Sequence, residues 1–130
     1  MLSTPTLHPF ISHFPTALFV AGLFLLYLGK RRSNSLWLQA ASLNFSIGLL
    51  ASVLAVLTGM FAADLDMRSI PEVEGHQGYS FAFVVGYVIC TIYSYTQAFS
   101  KAALGFYLAN LILMAATAWS GYLLVFQSAG

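Results

Sequence analysis

The chain has 130 residues, of which 59% are hydrophobic and 7% charged, with a formal net charge of +1. Soluble domains carry about 25% charged residues, so this composition, with a mean hydropathy of +0.81, excludes a small soluble core and predicts one integral membrane domain over residues 1–130. No basic cluster exceeds Lys30-Arg31-Arg32, which argues against a nucleic-acid partner, and the single Cys90 excludes an internal disulfide and covalent haem attachment through Cys-x-x-Cys-His.

A transmembrane helix needs roughly 20 apolar residues to cross about 30 Å of hydrocarbon, and four stretches satisfy this. The first is expected over residues 9–29 and ends at the basic triplet. Its opening residues, MLSTPTLHPF, lack the positive n-region of a cleavable signal, so this segment is expected to remain as its own insertion signal. Starting it at Pro15 would leave only about 22 Å of helix. A start at Pro9 gives about 31 Å, and proline suits the first helical position. Pro15 then falls inside the helix and frees the carbonyl of Ile11.

The second span is expected over residues 36–63, the third over 71–97 and the fourth over 102–126. Ser69-x-x-Glu72 reads as a capping box before the third, with Pro71 early in the helix. Short connections make neighbours antiparallel, so the fold class is all-α, an up-down-up-down four-helix membrane bundle. Cys90, in an apolar run, reads as a buried, inert thiol.

Charge sets direction. Lys30, Arg31, Arg32 and Lys101, four of the five Lys/Arg, lie in the first and third connections. The positive-inside rule places those connections in the cytoplasm and both termini outside. Asp64, Asp66, Glu72 and Glu74 fall with Arg68 in the second connection, on the outer side, as do His8, His13 and His76. Every candidate ligand therefore gathers at one face.

His13 lies about 6 Å past the expected start of the first helix, and His76 about 7.5 Å past that of the third. The two helices point the same way and are expected to be diagonal in the bundle, so both imidazoles could face its centre. Ionisable residues inside a membrane span usually face the bundle interior and mark function. His8, at the helix start, reads as interfacial.

The second helix carries Gly48, Ser52, Ala55 and Gly59 at three- and four-residue spacings, which reads first as close helix packing. The same small residues could form a groove for a flat cofactor, lined at its outer end by Gly59 and by Gly121 of the fourth helix. Trp119 and Tyr122 read as interfacial belt residues. Asn44 and Asn110 are expected to make interhelical hydrogen bonds.

The run His8-Pro9, then His13-Phe14-Pro15-x-Ala17-Leu18, with Gly48, Gly59, His76 and the ending Ser120-Gly121-Tyr122-Leu123-Leu124-Val125-Phe126, resembles a bacterial family of four-helix membrane proteins. That family is catalogued as domain of unknown function 2231. The resemblance covers nearly the whole chain and implies a multi-pass protein of the bacterial inner (cytoplasmic) membrane. Family members often end in a Gly-Gly-x-Leu-Val-Tyr-x-His-Gly-like tail. Here Gln127 and Ser128 stand where that histidine would be, so any role it has is lacking. Some members are joined to Rieske-type or cytochrome domains, which implies electron transfer, although the family carries no established activity.

Three functions follow as expectations. The first is a membrane electron-transfer subunit with one b-type haem on His13 and His76, lined by Gly59 and Gly121. Haem iron takes axial imidazoles, and three histidines permit one bis-histidine haem. Helix axes 8–10 Å apart give a diagonal of about 11–14 Å, so the outer end must open for a porphyrin. The second is a zinc, copper or iron site on His13 and His76 with His8, Asp64 or an outer Glu. The third is a structural accessory subunit without a cofactor. No nucleophile motif or catalytic dyad marks an independent enzyme. The expected partners are the lipid bilayer, a larger redox membrane complex or a basic soluble cytochrome.

Overall fold

Four helices follow one another in chain order: α1 Thr4–Arg32, α2 Ser35–Asp66, α3 Ile70–Thr96 and α4 Lys101–Phe126. The computed structural model describes the backbone of residues 4–66 and 70–126, and the side chains of residues 13–60, 77–120 and 122. Among the described residues there is no strand. All four helices contain a stretch long and apolar enough to cross a membrane.

The observed helices lie within a few residues of the expected spans, except at two ends. The described part of α1 starts at Thr4, so the helix already includes residues before the expected start at Pro9. Pro9 and Pro15 are then both internal, and the carbonyls of Pro5 and Ile11 lack their usual amide donors. α2 continues to Asp66. At 32 residues it is about 48 Å long, well beyond the hydrocarbon thickness, so it must tilt or project into the headgroup region.

The first turn is closed by backbone geometry. Ser33 adopts a left-handed φ of 50°. Its N–H donates to the Lys30 carbonyl (3.3 Å), and the Asn34 N–H donates to that of Gly29 (3.1 Å). This pair of bonds is a Schellman closure that satisfies the last carbonyls of α1. The Asn34 side-chain oxygen then accepts from the Leu36 N–H (2.9 Å), capping α2. Ser100 caps α4 in the same way, its Oγ accepting from Ala103 N–H at 3.1 Å.

α1 packs along α2, α2 along α3, and α3 along α4. Among the described residues the ring of helices does not close with comparable packing of α4 on α1. Only 17% of the α4 span is buried, against 28–33% for the other three, so α4 presents the largest share of its surface to lipid. Lipid tails give helix association no hydrophobic drive of the kind water supplies, so packing and polar contacts must hold the bundle.

The packing is aromatic. Phe19, Phe45 and Tyr87 are fully buried, with Phe83 and Tyr107 nearly so. Phe19 lies 5.4 Å from Phe45 and 5.1 Å from Tyr87 between ring centroids, and Phe45 stacks on Tyr107 at 6.0 Å. Such pairs contribute about 0.5–1.5 kcal/mol each beyond area burial. Polar ties accompany them. Asn44 Nδ2 donates to the Leu18 carbonyl, joining α2 to α1. Ser42 Oγ donates to the Ser94 carbonyl at 3.1 Å, joining α2 to α3. Tyr87 donates its hydroxyl to the Pro15 carbonyl at 3.0 Å, joining α3 to α1.

Candidate functional site

The buried positions of α1 are Pro15, Phe19, Gly22, Leu26 and Gly29, alternating steps of four and three residues. Such steps keep to one face of a helix that turns about 100° per residue. His13 lies two residues from Pro15, about 200° away. It is exposed, on the stripe that continues through Ala17, Val20, Phe24 and Tyr27, all exposed. Depth along the helix placed His13 near the bundle centre; helical phase places it on the outward face of α1. Position 8 is seven residues before Pro15, about 20° from it in phase on a regular helix.

α3 has the same organisation. Its buried positions are Phe83, Tyr87, Cys90, Thr91 and Ser94. Position 76 lies seven residues before Phe83 and falls on that stripe. The side chains of His8 and His76 are outside the described residues, so these placements rest on the backbone of α1 and α3 alone.

The rings also fix the relative depth of these parallel helices. The Phe19 ring sits between Phe83 (6.3 Å) and Tyr87 (5.1 Å), which sets it level with about position 85 of α3. At a rise of 1.5 Å per residue, His76 is then level with about position 10 of α1, about 3 Å inward of His8 and about 4.5 Å outward of His13. The residue level with His13 is Tyr79, which is exposed.

Below this level the bundle is filled. Gly48 is buried where α1, α2 and α3 meet; a Cβ there would strike the Tyr87 hydroxyl and lie 3.0 Å from Leu18 Cβ. Its role is thus close packing, the first of the two readings of the small-residue stripe. Ser52 and Ala55 are buried below the outer end of α2, and Gly59 is half-buried. Gly121 lies outside the residues whose surroundings are described. Near the N-terminal end of α3, Gly78 is exposed and has no described neighbour within 4 Å of a would-be Cβ. Trp119 and Tyr122 are exposed and stack on each other at 5.4 Å, as befits a belt at the membrane surface.

Among the described residues no three His, Cys, Asp or Glu come together; His8, His76, Asp64, Asp66, Glu72, Glu74 and Arg68 lie outside the described side chains. Cys90 is fully buried and free. One feature escapes the sequence. Asn44 makes its interhelical bond, but Asn110 is 1% exposed and both its amide atoms lack a partner. Its Oδ1 lies against Gly86 of α3, where any Cβ would collide with it.

Residues 4–129 match the family described as "predicted membrane protein (DUF2231)". The chain belongs to this family. No curated protein and no solved structure matches it. As a DUF2231 protein it is a multi-pass membrane protein, and its lipid-facing surface is the exposed stripe of each helix. The family description carries no residue roles, so the candidate site rests on the two buried stripes and the register of α1 against α3.

Proposed function

We propose that this DUF2231 protein is a membrane electron-transfer subunit that binds one b-type haem at the outer end of the bundle, between α1 and α3. His76 supplies one axial imidazole, and helical phase favours His8 over His13 for the other. The observation that carries the reading is that positions 8 and 76 share the helical phase of the described buried residues Pro15 and Phe83, on two parallel helices and at nearly one depth. The donor set fits the group, since haem iron takes two neutral imidazoles and the protein tunes it by burial and hydrogen bonding. The internal prolines of α1 suit an end that must widen. The tight aromatic packing at mid-depth supports a site in the end third of the bundle, which would be close to a soluble redox partner. Gly59 and Gly121 are the small residues available to line its faces.

The acids expected in the second connection lie in the helices on either side of it, Asp64 and Asp66 in α2 and Glu72 and Glu74 in α3, and with Arg68 they give residues 64–74 a formal charge of −3. This charge would steer a basic soluble cytochrome by raising its on-rate at low salt. The placement in the bacterial inner membrane, with this connection outside, belongs to the same proposal. A second reading, a structural accessory subunit of a larger complex, is favoured by the mid-depth core, which five rings complete without a cofactor. A metal ion on His8, His76 and an outer carboxylate is the remaining use of the same residues.

The test is a haem titration of the purified full chain in detergent or nanodiscs, read by visible absorption. The expected result is one haem per chain with a low-spin spectrum, lost on His76→Ala. No Soret shift on titration removes the haem reading and leaves the structural one. Retention of zinc or copper through His76, without haem, selects the metal site.

A further inference from the structure

The end of the bundle that carries the α1–α2 and α3–α4 turns holds Lys30, Arg31, Arg32 and Lys101, all exposed. All four acids of the chain flank the α2–α3 connection at the opposite end, Asp64 and Asp66 in the last turn of α2 and Glu72 and Glu74 in the first turns of α3. The four cations therefore have no carboxylate within their own turns to neutralise them. Two of the four are held in place. Lys30 Nζ lies 5.0 Å above the centre of the Phe99 ring, tying the last turn of α1 to the α3–α4 turn. That contact is a cation–π interaction between two connections distant in sequence. Arg31 donates from Nη1 to the Tyr27 hydroxyl at 2.9 Å, which lays the guanidinium back along the exposed face of α1. Arg32 and Lys101 continue the patch on either side.

We infer that this end of the bundle is a binding site for the headgroup of an anionic phospholipid, with the phosphate drawn between the α1–α2 turn and the start of α4. The charge is single-signed, it sits where a helix meets the headgroup layer, and the Phe99 contact joins the two turns that would clasp the ligand. Guanidinium and ammonium groups both bind phosphate, the former through two parallel N–H donors. A lipid of the same leaflet is already at this depth and so meets the patch without leaving the membrane. Attraction to anionic lipid falls off within a Debye length, so only cations at the surface take part.

Trp37, half-buried at the start of α2, reports on this end. The chain has two tryptophans, so Trp119→Phe leaves Trp37 alone. The experiment measures quenching of Trp37 by phosphatidylglycerol brominated in its acyl chains, mixed into phosphatidylcholine vesicles, against brominated phosphatidylcholine as the reference. The anionic lipid should associate with Trp37 severalfold more strongly at low salt, and the preference should decline with ionic strength. Arg32→Gln with Lys101→Gln should bring it close to the level of phosphatidylcholine, since each surface cation contributes up to about fivefold. Phe99→Leu should lower it less, by releasing Lys30. Far-UV circular dichroism confirms that the variants remain helical. Equal quenching by the two lipids overturns the proposal, as does a preference that survives removal of both cations. If inorganic phosphate at constant ionic strength abolishes the preference, the site takes a soluble anion and the lipid assignment is wrong.

Discussion

At the scale of single residues, two contacts in the bundle make opposite predictions. Gly48 leaves room for the Tyr87 hydroxyl, which donates to the Pro15 carbonyl. Gly48→Ala should destabilise the protein by about 1–3 kcal/mol through overpacking. In a Tyr87→Phe background the same change should cost less, because the hydroxyl collision is gone and only the ring Cζ, at 2.7 Å from the new Cβ, must shift. Unfolding by sodium dodecyl sulfate in mixed micelles measures both; equal costs in the two backgrounds would place the strain elsewhere. Asn110 behaves differently. Its two unpaired amide atoms are each a buried polar group without compensation, a state that costs about 1–3 kcal/mol per group. Asn110→Leu, similar in volume, should therefore leave stability unchanged or raise it by up to about 2 kcal/mol. A loss above about 1 kcal/mol in the same assay would mean that the amide is engaged by a polar partner such as a buried water.

At the scale of elements, the helices could be read from the sequence but their rotation could not. Length and apolarity gave four spans whose ends differ from the observed helices by a few residues, the largest shift being at the N-terminal end of α1, which already includes Thr4. Phase was hidden because both faces of each helix are apolar. In water, polar residues mark the outer face; in lipid, Phe24 and Val20 outside are as greasy as Phe19 and Leu26 inside. Depth was thus the only coordinate available for the histidines, and it favoured His13. The phase of α1 became visible through Pro15, Phe19, Gly22, Leu26 and Gly29, residues whose common property is contact with a neighbour rather than polarity. The unpaired state of Asn110 was illegible for the same reason, since an asparagine within a span carries no mark of whether its partner is in reach. The α1–α2 turn supports a prediction at this scale. Ser33 holds a left-handed φ of 50°, which costs a non-glycine residue roughly 1–2 kcal/mol. Ser33→Gly should raise stability by about 1 kcal/mol without moving the helices. A decrease would show that the Ser33 side chain contributes more than its backbone strain removes.

At the scale of the whole molecule, the four helices form an open array held by an aromatic centre, with basic turns at one end and histidines and acids at the other. The proposed orientation follows the positive-inside rule, which would place the basic turns in the cytoplasm. Single cysteines introduced at Ser33 and Glu74, in a Cys90→Ser background, should label from opposite sides of sealed vesicles. Labelling from one side would break the proposed assignment of the histidine end to the outer surface. The haem account itself turns on which histidine of α1 meets His76. The most direct measurement is the visible spectrum of the haem-loaded protein carrying His8→Ala or His13→Ala. The account predicts that His8→Ala loses the low-spin spectrum as fully as His76→Ala does, while His13→Ala keeps it. A low-spin spectrum that survives His8→Ala and disappears with His13→Ala would contradict it.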